Sequence, residues 1–178
     1  MDIKNFFLKK DVYNLQDIIN NPSSYIGGFN NEHMVNFIQN NKAKYIEDSF
    51  LLLEGSIIFK EGYKEIGGIP IFDDLATLYA YYMNIVEELL LEGREKSRFY
   101  YPNQPIEVSW EKIKNSKIKI SIDDQKKKQQ LISDTDTLLK LIVSHADGFF
   151  TLLINELDLT GYQYEIDRIE KFKRALKR

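Results

Sequence analysis

No cysteine occurs among the 178 residues. That absence excludes disulfides, thiol nucleophiles and cysteine-ligated zinc, and a chain without such staples points to a reducing compartment. Histidine is scarce as well: His33 and His145 are the only two, and neither belongs to an HExxH pair. The glycine-rich phosphate cradles GxxxxGK[ST] and GxGxxG are missing, as is the GxSxG nucleophile turn, and Gly27-Gly28 and Gly67-Gly68 stand as isolated pairs. The first apolar run, Phe6-Phe7-Leu8, stops at Lys9-Lys10, too short for a signal peptide or a membrane helix. A cytoplasmic location is therefore expected. With no internal repeat and no low-complexity linker, residues 1–178 are expected to form a single α+β domain.

What the chain does contain is ordinary globular material. Hydrophobic residues make up 43% and charged residues 29%, enough to bury a core and too apolar for disorder. The net charge of −3 gives no global pull toward nucleic acid or anionic lipid. Its distribution is more telling. Residues 45–95 hold eleven acidic groups against Lys60, Lys64 and Arg94, whereas residues 96–130 hold nine basic against four acidic. Solvated faces of opposite sign would explain this, and so would an acidic surface that meets a basic partner.

Periodicity marks the elements. A helical portion covers about residues 1–45, with Asp11 capping a short helix through Val12, Leu15, Ile18 and Ile19. A Gly27-Gly28 loop follows it, then a second helix through Met34, Val35, Phe37 and Ile38. Extended segments are read at 50–53, 56–60 and 63–66. A long helix capped by Asp73 or Asp74 runs through Leu78, Tyr82, Val86 and Leu89 and ends at Gly93. Ile106, Val108 and Trp110 alternate with polar residues, as do Ile118, Ile120 and Ile122, which predicts a hairpin turning at Asn115-Ser116. A second strong helix starts at Ser133 or Asp134 and carries Leu139, Ile142, Val143, Phe150 and Leu153. A charged surface helix covers about residues 163–178. The expected architecture is an antiparallel sheet with helices packed on one face.

Chemistry-bearing residues are few. His145 and Asp147 invite a metal or acid–base reading, but residues two apart on a helix diverge, and a polar-face histidine is the simpler account. The carboxylate pairs Asp73-Asp74, Glu87-Glu88, Asp123-Asp124 and Asp134/Asp136 complement helix starts and turns more simply than they build a two-metal centre. Lys126-Lys127-Lys128 reads as a solvated loop. The run from Arg98 to Pro105 reads as a rigid, aromatic-fed loop. No cofactor, metal or catalytic residue is expected.

Three stretches together resemble bacterial immunity proteins of polymorphic and contact-dependent toxin systems. They are Ile69-Pro70-Ile71-Phe72-Asp73-Asp74-Leu75, Phe99-Tyr100-Tyr101-Pro102-Asn103-Gln104-Pro105-Ile106 and His145-Ala146-Asp147-Gly148-Phe149-Phe150. The likeness covers residues 56–157 and carries over no functional residue. It implies a cytoplasmic, non-enzymatic protein that neutralises a cognate toxin by direct contact. The acidic stretch suits a basic toxin domain, with Glu61, Glu65, Asp73, Tyr81, Glu87 and Glu88 as the expected contacts. An adaptor or regulatory subunit is the alternative, and a metal-dependent hydrolase a third.

Overall fold

The computed structural model describes residues 1–28, 31–69 and 71–177, with backbone alone at 31 and 32. In chain order the elements are β1 (Asp2–Leu8), α1 (Leu15–Asn20), α2 (Pro22–Tyr25), β2 (Ile26–Gly28), α3 (Asn31–Asn40), α4 (Lys42–Tyr45), β3 (Ile46–Glu47) and β4 (Phe50–Leu51). Then come β5 (Glu54–Glu61), β6 (Lys64–Ile66), β7 (Asp73–Asp74), α5 (Leu75–Leu90) and β8 (Lys96–Tyr100). The chain closes with β9 (Glu107–Ile113), β10 (Lys117–Asp123), β11 (Lys128–Asp134), α6 (Thr135–Leu157), a 3-10 turn at Thr160–Tyr162 and α7 (Gln163–Ala175).

The strands pair antiparallel throughout, in an α+β fold. One sheet has the order β2-β1-β5-β6, with β7 on the far end of β5; a second has the order β11-β10-β9-β8. β11 lies beside β5 and β6 and joins the two sheets. Gln129 Oε1 accepts from the Gly67 amide at 3.1 Å, and the Ser133 hydroxyl donates to Glu61 at 3.3 Å. The predicted hairpin is present, with Ile120 opposite Trp110 and Ile122 opposite Val108. Ile113 pairs with Lys117 across a three-residue loop in which Asn115 and Ser116 both take left-handed φ, +64° and +54°.

The core forms where the two strong helices meet the sheets. Asp74 caps α5 and Asp134 caps α6, each accepting from the backbone N–H three residues on. Trp110, Phe59 and Tyr82 pack with ring centroids 5.4–5.9 Å apart, and Tyr79 stacks on Phe149 at 4.6 Å. Trp110, Phe150, Ile118, Ile120, Leu78, Tyr82, Val86, Leu89, Leu139, Ile142, Val143 and Leu153 are all buried, as expected. α6 is long and apolar enough to cross a membrane, but its apolar stripe is buried in this core.

Four expectations need correction. The first 45 residues hold helices α1 to α4 but are not helical throughout: β1 is an inner strand between β2 and β5. Its polar Asn5 hid it, yet Asn5 donates to the buried Tyr79 hydroxyl at 2.6 Å. Gly27 belongs to strand β2 and not to a loop, because a Cβ there would collide with the Phe7 ring. The cap of α1 is Asn14, which accepts from Gln16, while Asp11 pairs with Lys44 at 2.8 Å. α7 is no mere surface helix, since Ile169 and Phe172 are fully buried and Arg168 is 5% exposed. Its guanidinium ties α7 to α5 through Glu87 and Asn84, a packing role its charged composition masked.

Candidate functional site

The segment from Phe50 to Glu54 alternates outward and inward, burying Leu51 and Leu53 while Phe50, Leu52 and Glu54 face out. An outward face built from two large apolar side chains and a carboxylate costs solvation, and here it forms one wall of a cleft. The opposite wall is the first turns of α5, with Asp74, Thr77 and Ala80. The loop after β8 closes one end with Pro102 and Asn103, and Tyr162, Tyr164 and Glu165 at the start of α7 close the other. The cleft encloses about 690 Å³. Phe50 (51% exposed), Leu52 (48%) and Tyr164 (67%) rim it. Its charged lining is Glu54, Asp74 and Glu165; among the described residues no lysine, arginine or histidine lines it.

Each wall is held in place by identifiable bonds. The Leu51 amide donates to the Tyr162 hydroxyl at 2.9 Å, and Phe50 meets the Tyr162 ring edge-on at 5.7 Å. Asp73 is buried and accepts from the Asn103 amide (2.8 Å), the Asn103 side chain (2.6 Å) and the Asp74 amide (2.8 Å). Gln104 reaches the Phe72 carbonyl from the same loop. So Asp73 sets the position of the Pro102–Asn103 end of the cleft.

The electrostatics are unfavourable by construction. Glu54 lies directly opposite Asp74 across the β5–β7 pairing, a juxtaposition of like charges that destabilises a sheet. Desolvation, then the nearby carboxylates of Asp73, Asp11 and Asp74, pushes the Glu54 carboxyl above its ordinary range. Desolvation also raises Asp74, against the lowering effect of its capping bond to Thr77. Burial raises Glu165 in spite of its ion pair with Arg168 at 2.9 Å. Among the described residues the Glu54 carboxylate has no hydrogen bond and no ion pair within 4.0 Å, although its backbone pairs with Asp74.

The expected contact residues do not converge on one face. Glu61 pairs with the Met1 amino group at 2.8 Å, and Glu65 is exposed on β6. Both lie at the other end of β5, about 23 Å from Glu54 at ~3.3 Å per strand residue. Asp73 is 1% exposed and cannot meet a partner, which corrects that expectation. Tyr81 is half-buried against Phe99, with ring centroids 5.3 Å apart. Glu87 holds Arg168 and Glu88 holds Arg94, at 2.8 and 3.2 Å. The run from Arg98 to Pro105 is not a single loop: its first three residues finish strand β8, and only the remainder connects β8 to β9. Lys126 and Lys127 are exposed in the β10–β11 turn.

His145 and Asp147 part company on α6. The imidazole is half-buried and its pKa lowered by desolvation, while Asp147 pairs with Lys173 at 2.8 Å. Among the described residues no three histidine, aspartate or glutamate side chains are grouped to hold a metal ion. No protein-family model, curated protein or solved structure matches the chain.

Proposed function

We propose that this protein is a non-enzymatic inhibitor that binds a basic protein partner through the acidic cleft between β4–β5, α5 and α7. In the immunity-protein reading that partner is a toxin domain. The observation that carries the proposal is the composition of one concavity: three carboxylates with raised pKa, no basic side chain among the described lining residues, and three exposed large apolar side chains on the rim. Apolar anchors beside carboxylates, of which Glu165 is held by Arg168 while Glu54 has no ion pair among the described residues, suit recognition of a protein with the opposite charge.

Co-expression with a toxic basic domain supplies the test. Cells should survive only when the cleft is intact, and the purified complex should associate more slowly as salt is raised. Between 50 and 500 mM salt the association rate should fall by roughly tenfold or more, with a smaller change in dissociation, because exposed charges are screened beyond a Debye length of about 8–10 Å. A neutralised partner whose binding ignores both salt and substitutions at the cleft would overturn the proposal.

A further inference from the structure

The shape and chemistry of the cleft narrow what enters it. Glu54 and Asp74 occupy facing positions of an antiparallel pair, so their Cβ atoms stand about 4.5–5.5 Å apart. Asp74 commits one oxygen to the Thr77 amide at 2.6 Å, and among the described residues the Glu54 carboxylate makes no hydrogen bond. Two carboxylates at that spacing present acceptors to a forked donor. Glu165, at the α7 end of the cleft, is already paired with Arg168 and adds field but needs no further cation. The rim is aromatic, and Tyr164 already carries the Arg168 guanidinium over its ring at 5.5 Å while remaining 67% exposed. A planar guanidinium can bond to carboxylate edges and lie against a ring at the same time, whereas an ammonium is a strongly hydrated point charge.

The cleft also does not end at Glu54. A second hollow of about 380 Å³ shares Leu52 and Glu54 with it and runs toward Lys44 and Asp11. A single ion would leave that surface empty; a chain segment would follow it.

Resting on the reading of this cleft as the partner-binding face, we propose that it is an arginine receptor. It takes an arginine side chain, carried on an apolar segment of the partner, between the Glu54–Asp74 pair and the rings of Phe50 and Tyr164. The residues flanking that arginine cover Leu52 and continue over the adjoining hollow, whose charged lining is Lys10, Asp11 and Lys44.

The test needs no identified partner. The full chain, isotopically labelled, is titrated with a capped Leu-Arg-Phe peptide, with its lysine counterpart and with its uncharged citrulline counterpart. The arginine peptide should give saturable shifts at the amides of Leu52, Glu54 and Tyr164. The lysine peptide should bind several-fold more weakly and the citrulline peptide about tenfold or more, as loss of a charge-assisted pair requires. In Glu54→Gln the preference for arginine over citrulline should shrink to about twofold, with the remaining spectrum unchanged. Equal binding of arginine and citrulline peptides would reduce the site to an apolar groove, and equal binding of the lysine peptide would remove the case for arginine. Absence of saturation at about 5 mM peptide, or shifts indifferent to Glu54→Gln, would overturn the proposal outright. A salt-sensitive protein partner alongside any of these failures would leave the inhibitor reading standing and sink only the arginine receptor.

Discussion

Truncating Phe150 to alanine should lower the stability of the fold by about 3–5 kcal/mol, the range for removing a buried aromatic ring from a packed core. Phe150 is fully buried on α6, 5.3 Å from the Phe149 ring, 5.5 Å from Tyr162 and 6.3 Å from Tyr79. Tyr162 is also a wall of the cleft, so the void left by the substitution undermines the site as well as the core. For a chain of this size the melting temperature should drop by roughly 6–20 °C. Urea unfolding should show a lower midpoint with an unchanged slope, the sign of lost stability without a change in surface exposed. A loss below about 1 kcal/mol would mean that α6 is not packed as described.

Replacing Asp73 with alanine should cost about 1.5–3 kcal/mol, because a buried carboxylate accepting three hydrogen bonds is removed at once. The Asn103 amide and side chain lose their acceptor, while the loop from Pro102 to Gln104 keeps Gln104's bond to the Phe72 carbonyl and the Ile106 amide's bond to the Gln104 carbonyl at 2.8 Å. Hydrogen exchange at the Asn103 amide should accelerate, and binding at the cleft should weaken although Asp73 touches no partner. Asp73→Asn, which retains one acceptor oxygen, should recover part of both losses. If the exchange rate at Asn103 were unaltered in Asp73→Ala, the clamp would have no mechanical role.

The legible parts of the fold were those in which one physical rule dominated. Strict alternation around Trp110 and Ile120 leaves a single register that buries both, and the apolar stripes of α5 and α6 leave a single inward face. The misread parts mix rules. β1 carries Asn5 at a half-buried position because Tyr79 supplies its partner from 74 residues away. β11 turns Leu131 and Ser133 inward amid lysine and glutamine, a pattern that looks like loop until β10 and β5 are placed beside it. α7 buries an arginine whose partners come from α5. Long-range pairing decided each of these, and no local window contains it.

The site was half legible. The acid-rich residues 45–95 include Glu54 and Asp74 of the cleft, and hydrogen bonds tie the Ile71–Asp74 stretch to the Asn103–Gln104 loop. Which acids matter was not legible. Charge counting favours Glu61, Glu87 and Glu88, all of which the fold neutralises with nearby donors or cations. Glu54 was not singled out at all: only the fold shows that Phe50, Leu52 and Glu54 share an outward face.

Glu54→Gln, measured for both stability and binding, tests most directly whether the Glu54 carboxylate, with only Lys44 nearby to offset Asp73, Asp11 and Asp74, serves a basic partner. A carboxyl whose folded pKa is raised destabilises the native state wherever it is ionised. The cost is full at neutral pH, fades as pH falls through the raised value, and vanishes below the ordinary unfolded value near 4.3. Glu54→Gln should therefore raise the melting temperature by about 1–3 °C at pH 7, the scale of relieving one like-charge cross-strand pair. That gain should disappear near pH 4, while affinity for the basic partner at pH 7 falls by roughly tenfold or more. A variant that is less stable at pH 7, or that binds the partner as tightly as the parent chain, would contradict the account.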